Sequence, residues 1–271
     1  MSFLGKEIRM ARLINKKTGK ILTIAIDHAI AWGVLQGIRR IQETMDVIVD
    51  SGPDAITIHK GIAEKCFGKH AGKIPFILKC TSFSIFQPAF DTQTADVEEA
   101  LRLGADAIAI GMTTGGKDQP ELLRNFSAMI KNAHYMGVPV IAHIYPRGEL
   151  VKEEERYNVE HVSYAARLGA ELGVDIVKTF YTGTPDSFRM VIEACPAKVV
   201  VSGGPKLPTL RDLFKMTRDS MDAGAYGVTY GRNVWEDESP KACVKALKHI
   251  IHENFDLKEA MDLYESEKRK S

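Results

Sequence analysis

Short apolar runs recur along the chain, separated by longer stretches in which apolar residues fall three or four positions apart. Five of the runs begin a few residues after a glycine that closes such a stretch, at Gly52, Gly104, Gly137, Gly173 and Gly224. Glycine suits the left-handed turn that ends a helix. A run without polar alternation is typical of a strand buried on both faces of a parallel sheet. The pattern therefore predicts a repeated unit of helix, turn and parallel strand.

Eight strands are predicted in this way. They start near residues 21, 55, 75, 107, 139, 175, 198 and 227. Apolar residues at helical spacing predict helices over residues 96–103, 120–135, 159–172, 185–194 and 210–223. Residues 80–94 carry no such pattern and are predicted to form an extended loop.

Eight strand–helix units in roughly 250 residues are the expected size of a (β/α)8 barrel, the TIM barrel. A doubly wound open sheet is the alternative, and the strand count favours the closed barrel. No linker or change of composition divides the chain, so residues 1–271 are predicted to form a single domain. The barrel is expected over about residues 21–254, with a C-terminal helix over 256–269 outside it.

Charge and composition narrow the class of protein. The chain has 36 Lys and Arg against 35 Asp and Glu, so it lacks the basic excess on which nucleic-acid binding depends. Its longest apolar runs, such as residues 21–26, are far shorter than the ~20 residues that span a bilayer. Residues 1–10 contain no signal-peptide core, and the four cysteines show no zinc or disulfide spacing. We predict a cytoplasmic protein without a nucleic-acid or membrane partner.

Polar side chains follow seven of the eight predicted strands, where a barrel carries its chemistry. Lys178 lies at the end of an apolar run, and burial would lower its pKa and supply the neutral amine that attacks a carbonyl. The alternative is a structural lysine whose charged end reaches solvent. Tyr145, at the end of the preceding strand, is a candidate for proton transfer, and Asp27 for acid–base work or hydroxyl binding.

The last two strand ends predict a phosphate site. Ser202-Gly203-Gly204 can present successive backbone N–H groups to an anion, and Gly231-Arg232 adds further N–H groups and a guanidinium. Barrels commonly bind phosphate after these two strands. We therefore predict that these five residues bind phosphate.

Taken together, five segments resemble the archaeal-type class I aldolases. They are Asp27-His28, Tyr145-Pro146-Arg147-Gly148, Lys178, Ser202-Gly203-Gly204-Pro205-Lys206 and Gly231-Arg232-Asn233-Val234-Trp235. The family includes fructose-bisphosphate aldolases, 2-amino-3,7-dideoxy-D-threo-hept-6-ulosonate synthase and a thiolase acting on a phosphorylated autoinducer-2 product. The resemblance covers residues 21–254.

The resemblance implies a barrel enzyme that acts on a phosphorylated ketose or aldehyde. It implies a Schiff base on Lys178, proton transfer by Tyr145 and an acid–base or hydroxyl-binding role for Asp27. It also implies a homo-oligomer, commonly a decamer or a pentamer. No metal and no other cofactor are expected, because the lysine imine acts as the electron sink.

Four further residues are predicted to contact the substrate. The resemblance implies this for His28, Lys60 and Arg147, whereas His143 stands two residues before Tyr145 and so faces the same way along a strand.

Some positions depart from the family pattern. Ala29 replaces the usual glycine after Asp-His, Trp32 follows it, and residues 81–90 are rich in phenylalanine. These residues predict a less polar pocket than a sugar bisphosphate needs. The substrate therefore stays open, as does the choice between an aldolase, a synthase-type transaldolase and a thiolase.

Overall fold

The computed structural model describes residues 4–270, in which eight parallel strands close into a barrel. The strands of the chain are β1 Ile21–Ala25, β2 Ala55–Ile58, β3 Phe76–Lys79, β4 Thr81–Ser84, β5 Gln87–Gln93, β6 Ala107–Thr114, β7 Val140–Pro146, β8 Ile176–Thr179, β9 Lys198–Ser202 and β10 Gly227–Tyr230. Around the barrel they run in the order β1-β10-β9-β8-β7-β6-β3-β2. The predicted (β/α)8 barrel is confirmed, and each barrel strand starts within one residue of its predicted position.

Helices connect the strands on the outside. They are α1 Leu4–Leu13, α2 His28–Trp32, α3 Ile41–Ser51, α4 Lys60–Cys66, α5 Val97–Arg102, α6 Gln119–Tyr135, α7 Val159–Glu171, α8 Pro185–Ala194, α9 Leu210–Asp222, α10 Arg232–Trp235, α11 Pro240–Glu253 and α12 Leu257–Lys268. Short 3₁₀ turns lie at Gln36–Ile38, Gly68–His70 and Glu153–Glu155. Within residues 4–270, no helix is long and apolar enough to cross a membrane.

The prediction of a loop over residues 80–94 is wrong. β4 and β5 pair there as an antiparallel hairpin, separate from the barrel sheet. Most of β5 is exposed or half-exposed, so the hairpin lacks the continuous apolar run that marks the barrel strands. Its pairing depends on cross-strand hydrogen bonds rather than on burial, which is why the hydrophobic pattern did not reveal it.

The direction of each barrel side chain follows from the two-residue period of a strand. Ile77, Ile141 and Ile176 belong to the small apolar cluster that fills the lower interior of the barrel. Their neighbours Leu78, Ala142 and Val177 belong to the larger cluster between the strands and the helices. Residues two positions after the first group therefore also point into the barrel.

Helix α1 packs beneath the barrel. Leu13 is fully buried and contacts the interior cluster, and Met10 and Ile14 are partly buried against it. Arg9 donates a hydrogen bond of 3.1 Å to the carbonyl of Gly137, and Lys6 pairs with Asp175 at 2.7 Å. The helix thus fills the end of the barrel at which the strands begin.

Closure of the barrel depends on Gly227. It pairs in register with Ile21, its φ is +153°, and a Cβ there would collide with the backbone of Ile21. We expect Gly227→Ala to lower the free energy of unfolding by about 3 kcal/mol, measured by urea denaturation. Gly61→Ala, on helix α4 with open space around its Cα, is the control and should be neutral or slightly stabilising. Equal stability of the two variants would contradict this account.

Candidate active site

A cavity of about 450 Å³ opens at the carboxyl ends of the strands. It is lined by Asp27, His28, Ala31, Trp32, Lys79, Ser82, Phe83, Asp91, Gly111, His143, Tyr145, Arg147, Glu153, Arg156, Tyr157, Lys178, Phe180, Ser202, Gly204, Pro205 and Arg232. The structure thus brings together nine of the twelve residues predicted from the sequence. Gly203, Gly231 and Lys60 are the three outside this lining.

Lys178 follows the inward-facing Ile176 by two residues and therefore points into the cavity. It is 7% exposed and lies in register with His143 on β7. Burial lowers the pKa of its amine below the ordinary 10.5, although Asp27 opposes the shift. The site therefore makes the neutral, nucleophilic form of this lysine more accessible than it is in water.

His143 stands beside Lys178 as a buried imidazole. It is 5% exposed, and its Nε2 has no hydrogen-bond partner among the described residues. Burial, reinforced by the charge of Lys178, lowers the pKa of His143 well below its ordinary value. It is therefore neutral at physiological pH and has one ring nitrogen free for a ligand.

Asp27 and His28 follow β1 on the other side of the cavity. Burial raises the pKa of Asp27, but the charges of His28, Lys178 and Lys79 more than offset it, so that the carboxylate stays ionised. His28 Nδ1 lies 3.4 Å from Asp27 Oδ1, and burial lowers the pKa of His28 to about 4. The His28 ring packs edge-on against Trp235 at 5.3 Å and against the bare Cα of Gly231. His28 is thus a neutral imidazole wedged beside the carboxylate, and its Nδ1 has no hydrogen-bond partner among the described residues.

Tyr145 reaches the cavity from the end of β7. Its hydroxyl donates a hydrogen bond to Ser202 Oγ at 3.4 Å, and its ring lies 4.6 Å from that of Phe180. Burial raises the pKa of Tyr145 to about 12. The phenol is therefore protonated throughout the neutral range, and its hydroxyl is available as a proton donor.

The glycine turns after β9 and β10 form one wall. Ser202, Gly204 and Arg232 line the cavity, and Arg232 Nη2 donates to the carbonyl of Gly204 at 3.4 Å. Gly203 lies behind this surface. A Cβ at this position would lie 3.1 Å from the ring of Tyr230. The backbone of Gly203 is held by Asn233, whose Nδ2 donates to its carbonyl at 3.0 Å. This wall combines backbone groups with a guanidinium.

Trp32 covers part of the mouth. Its ring packs edge-on against Phe83 at 5.3 Å, and the guanidinium of Arg147 lies 4.9 Å from both ring centres. Arg232 lies 5.5 Å from the Trp32 ring. Phe83 is the one phenylalanine of residues 81–90 in the lining, whereas Phe86 is 84% exposed at the hairpin tip. The mouth is therefore an aromatic surface crossed by two cations.

Lys60 is a predicted site residue that lies outside the cavity lining. Ala55, Thr57 and His59 share one face of β2, so the next residue belongs to the opposite face. Lys60 begins helix α4 and pairs with Glu99 at 2.7 Å, outside the cavity lining. The substrate contact that the resemblance implies for Lys60 therefore stays a prediction.

Lys79 and Asp91 are cavity residues that the sequence analysis did not single out as functional. Lys79 ends β3 two positions after the inward-facing Ile77, and that spacing is the signal that could have found it. Asp91 lies on β5, in the segment predicted to be a loop, and carried no such signal.

Comparisons with known proteins match one family and several relatives. The sequence model of one family, described as DeoC/LacD family aldolase, matches residues 21–237. An aldolase of Saccharolobus solfataricus is 34% identical over 96% of this chain and 99% of its own length. The 2-amino-3,7-dideoxy-D-threo-hept-6-ulosonate synthase of Halobacterium salinarum is 32% identical over 96% of this chain and 97% of its own.

Solved structures extend the likeness to the whole barrel. A Schiff-base-forming fructose-1,6-bisphosphate aldolase superposes with a TM-score of 0.84 at 28% identity, covering 92% of this chain and 100% of that one. An archaeal fructose-1,6-bisphosphate aldolase, with its catalytic lysine bound to the carbinolamine of the substrate, gives 0.83 at 29% identity, covering 91% and 99%.

Proposed function

Because this chain belongs to the DeoC/LacD aldolase family, we propose that it is a class I aldolase that forms a Schiff base between Lys178 and a phosphorylated ketose. The observation that carries the proposal is the buried Lys178 amine, with its lowered pKa, in a cavity that also holds Tyr145 and Asp27. The names of two solved structures of similar fold, both fructose-1,6-bisphosphate aldolases, support this substrate class.

The phosphate of the ketose binds the wall formed by Ser202, Gly204 and Arg232. Backbone N–H groups and the guanidinium offset its charge. This anchor sets the ketone carbon beside Lys178, which lies on the strand next to β9. Because the ketone carbon and the amine are then held in one complex, the addition does not depend on a collision between two free molecules.

The chemistry then proceeds through an imine. The neutral amine of Lys178 adds to the ketone carbon, and the carbinolamine loses water to give a protonated imine. Asp27 accepts the proton of the hydroxyl on carbon 4 as the bond between carbons 3 and 4 breaks, and the electron pair of that bond moves into the imine. An aldehyde leaves, and an enamine remains on Lys178.

Tyr145 completes the cycle. Its hydroxyl, protonated because burial raises its pKa to about 12, donates a proton to carbon 3 of the enamine. Water then hydrolyses the resulting imine and releases the ketone. Asp27 gives up the proton it accepted and Tyr145 regains one through solvent, so both groups return to their starting states. The same enamine can instead be captured by a second aldehyde, which makes the enzyme a transaldolase. The synthase names of two relatives at 32% identity favour this second outcome.

Borohydride trapping tests the proposal. The protein is incubated with dihydroxyacetone phosphate, fructose 1-phosphate or fructose 1,6-bisphosphate, reduced, digested and analysed by mass spectrometry. A stable adduct on the peptide that contains Lys178 is expected with at least one of them. If no ketone is trapped, the barrel runs a reaction without an imine, and the thiolase-type alternative replaces this proposal.

The rate of trapping should depend on pH in a defined direction. Only the neutral amine adds to a ketone, so the rate at saturating ketone rises with pH through the lowered pKa of Lys178 and levels off below pH 10.5. The measurement is the initial trapping rate between pH 5 and pH 11.5, a range that extends past the ordinary value of 10.5. A rate that continues to rise through pH 10.5 would show that burial does not act on this lysine.

A further inference from the structure

Two buried charged groups of the cavity make no contact with the reacting atoms in the chemistry proposed above. Lys79 is 6% exposed and Asp91 is 8% exposed, and both line the cavity. Burying two charged side chains costs free energy unless their polar atoms find partners. They form no direct ion pair within 4.0 Å, so their partners are not simply each other.

Gly111 on β6 forms the floor between the two groups. A Cβ at this position would collide with Asp91 Oδ1 and would come within 3.0 Å of Lys79 Nζ. The absence of a side chain therefore leaves both groups room above the same stretch of backbone. A single oxygen atom between them can make a hydrogen bond of ordinary length to each.

The orientation of Asp91 is fixed from the side. Thr81 Oγ1 donates a hydrogen bond of 3.2 Å to Asp91 Oδ1, and the backbone N–H of Gly111 donates to Thr81 Oγ1 at 2.6 Å. Asp91 thus has one ordered donor and further acceptor capacity that faces the cavity. Burial raises the pKa of Asp91, and the charge of Lys79 opposes that shift.

The place of this pair in the barrel identifies the part of a substrate that would reach it. The closed order places β3, which carries Lys79, four strands from β9 in either direction. β9 carries Ser202, so Lys79 faces the phosphate wall across the cavity. Lys178 on β8 lies between the two. A ketose anchored by its phosphate on β9 therefore extends past Lys178 toward Lys79 and Asp91.

We infer that Lys79 and Asp91 form a hydroxyl-binding subsite for the aldehyde half of the substrate, an inference that rests on the proposed function. A hydroxyl group both accepts and donates, so it can accept from the Lys79 ammonium and donate to the Asp91 carboxylate. A second phosphate fits less well, because the carboxylate of Asp91 would repel it. A purely apolar aldehyde would offer no partner to the Lys79 ammonium and none to the remaining acceptor sites of Asp91.

The test compares two aldehydes of three carbons, glyceraldehyde and propanal, in condensation with dihydroxyacetone phosphate. The wild type should prefer glyceraldehyde in kcat/KM by about 10- to 100-fold, the scale of a hydrogen bond to a charged group. Lys79→Met and Asp91→Asn, both close in shape to the native residues, should reduce this preference to near unity. Lys131→Met, on the exposed face of α6, is the matched control and should retain it.

Trapping of dihydroxyacetone phosphate alone separates the possible outcomes, because this short ketone does not extend to Lys79. Normal trapping on Lys178 with a lost preference supports the subsite and shows that the variants are folded. A retained preference overturns the inference, and so does trapping lost in step with the preference, since the pair would then act on Lys178. A wild-type protein that traps no ketone overturns the proposed function, and this inference with it.

Discussion

Lys178→Met is expected to lower kcat by roughly 10⁴-fold and, at the same time, to make the protein more stable. Without the amine no imine forms, and loss of a nucleophile typically acts on this scale. Methionine nearly matches the shape of the lysine side chain, so the cavity and the phosphate wall remain. The first measurement is aldehyde release from a ketose phosphate.

The expected gain in stability follows from the direction of the pKa shift. Burial lowers the pKa of Lys178 in the folded protein, so the charged form is disfavoured there and costs folding free energy at neutral pH. This cost is full below the lowered pKa and vanishes as the pH rises to the 10.5 of the unfolded chain. The melting temperature of Lys178→Met should therefore exceed that of the wild type at pH 7, and the difference should shrink toward pH 10.

The exposed Lys131 provides the control for both measurements. Lys131→Met should leave kcat and the melting temperature within error of the wild type. A Lys178→Met protein that turns over normally, or that melts at a lower temperature than the wild type at pH 7, would refute the assignment of a buried nucleophile.

Tyr145→Phe is expected to lower kcat by about 10²- to 10⁴-fold, the usual contribution of a general acid, while leaving borohydride trapping intact. Phenylalanine keeps the ring contact with Phe180 and removes only the hydroxyl that bonds Ser202. The imine then forms and the carbon–carbon bond breaks, but the enamine lacks its proton donor. The measurements are kcat and the extent of trapping with the same ketose phosphate.

Tyr135, which is 87% exposed, offers the matched control. Tyr135→Phe should change neither kcat nor trapping. If Tyr145→Phe reduced trapping as much as it reduced kcat, Tyr145 would act before the imine rather than after it, and the order of steps proposed above would be wrong.

The barrel and much of the site are predictable from the sequence because both depend on the same two-residue period. An apolar strand buried on both faces is easy to recognise, and the residue at its end inherits an inward or an outward direction. Lys178 and His143 follow inward-facing isoleucines and lie in the cavity. Lys60 has the other parity and lies outside the cavity lining, so the substrate contact that the resemblance implies for it stays a prediction.

The hairpin shows where such reasoning ends. β4 and β5 form by local pairing on the surface, and no run of buried residues marks them. Asp91 reaches the cavity only because this hairpin folds back over the rim. Its contact with the space above Gly111 joins residues 20 positions apart through three-dimensional packing. The period of an individual strand contains no information about such a contact.

Helix α1 has a consequence for how molecules enter and leave. Leu13 and the apolar side chains above it fill the lower end of the barrel, so in the proposed reaction both products leave through the rim beside Trp32. In the proposed reaction the ketone half stays covalently attached to Lys178 after the aldehyde half is free. The aldehyde therefore leaves first, and in the reverse direction the ketone must enter first. The covalent attachment sets this order, and the filled floor makes the two substrates use the same passage one after the other.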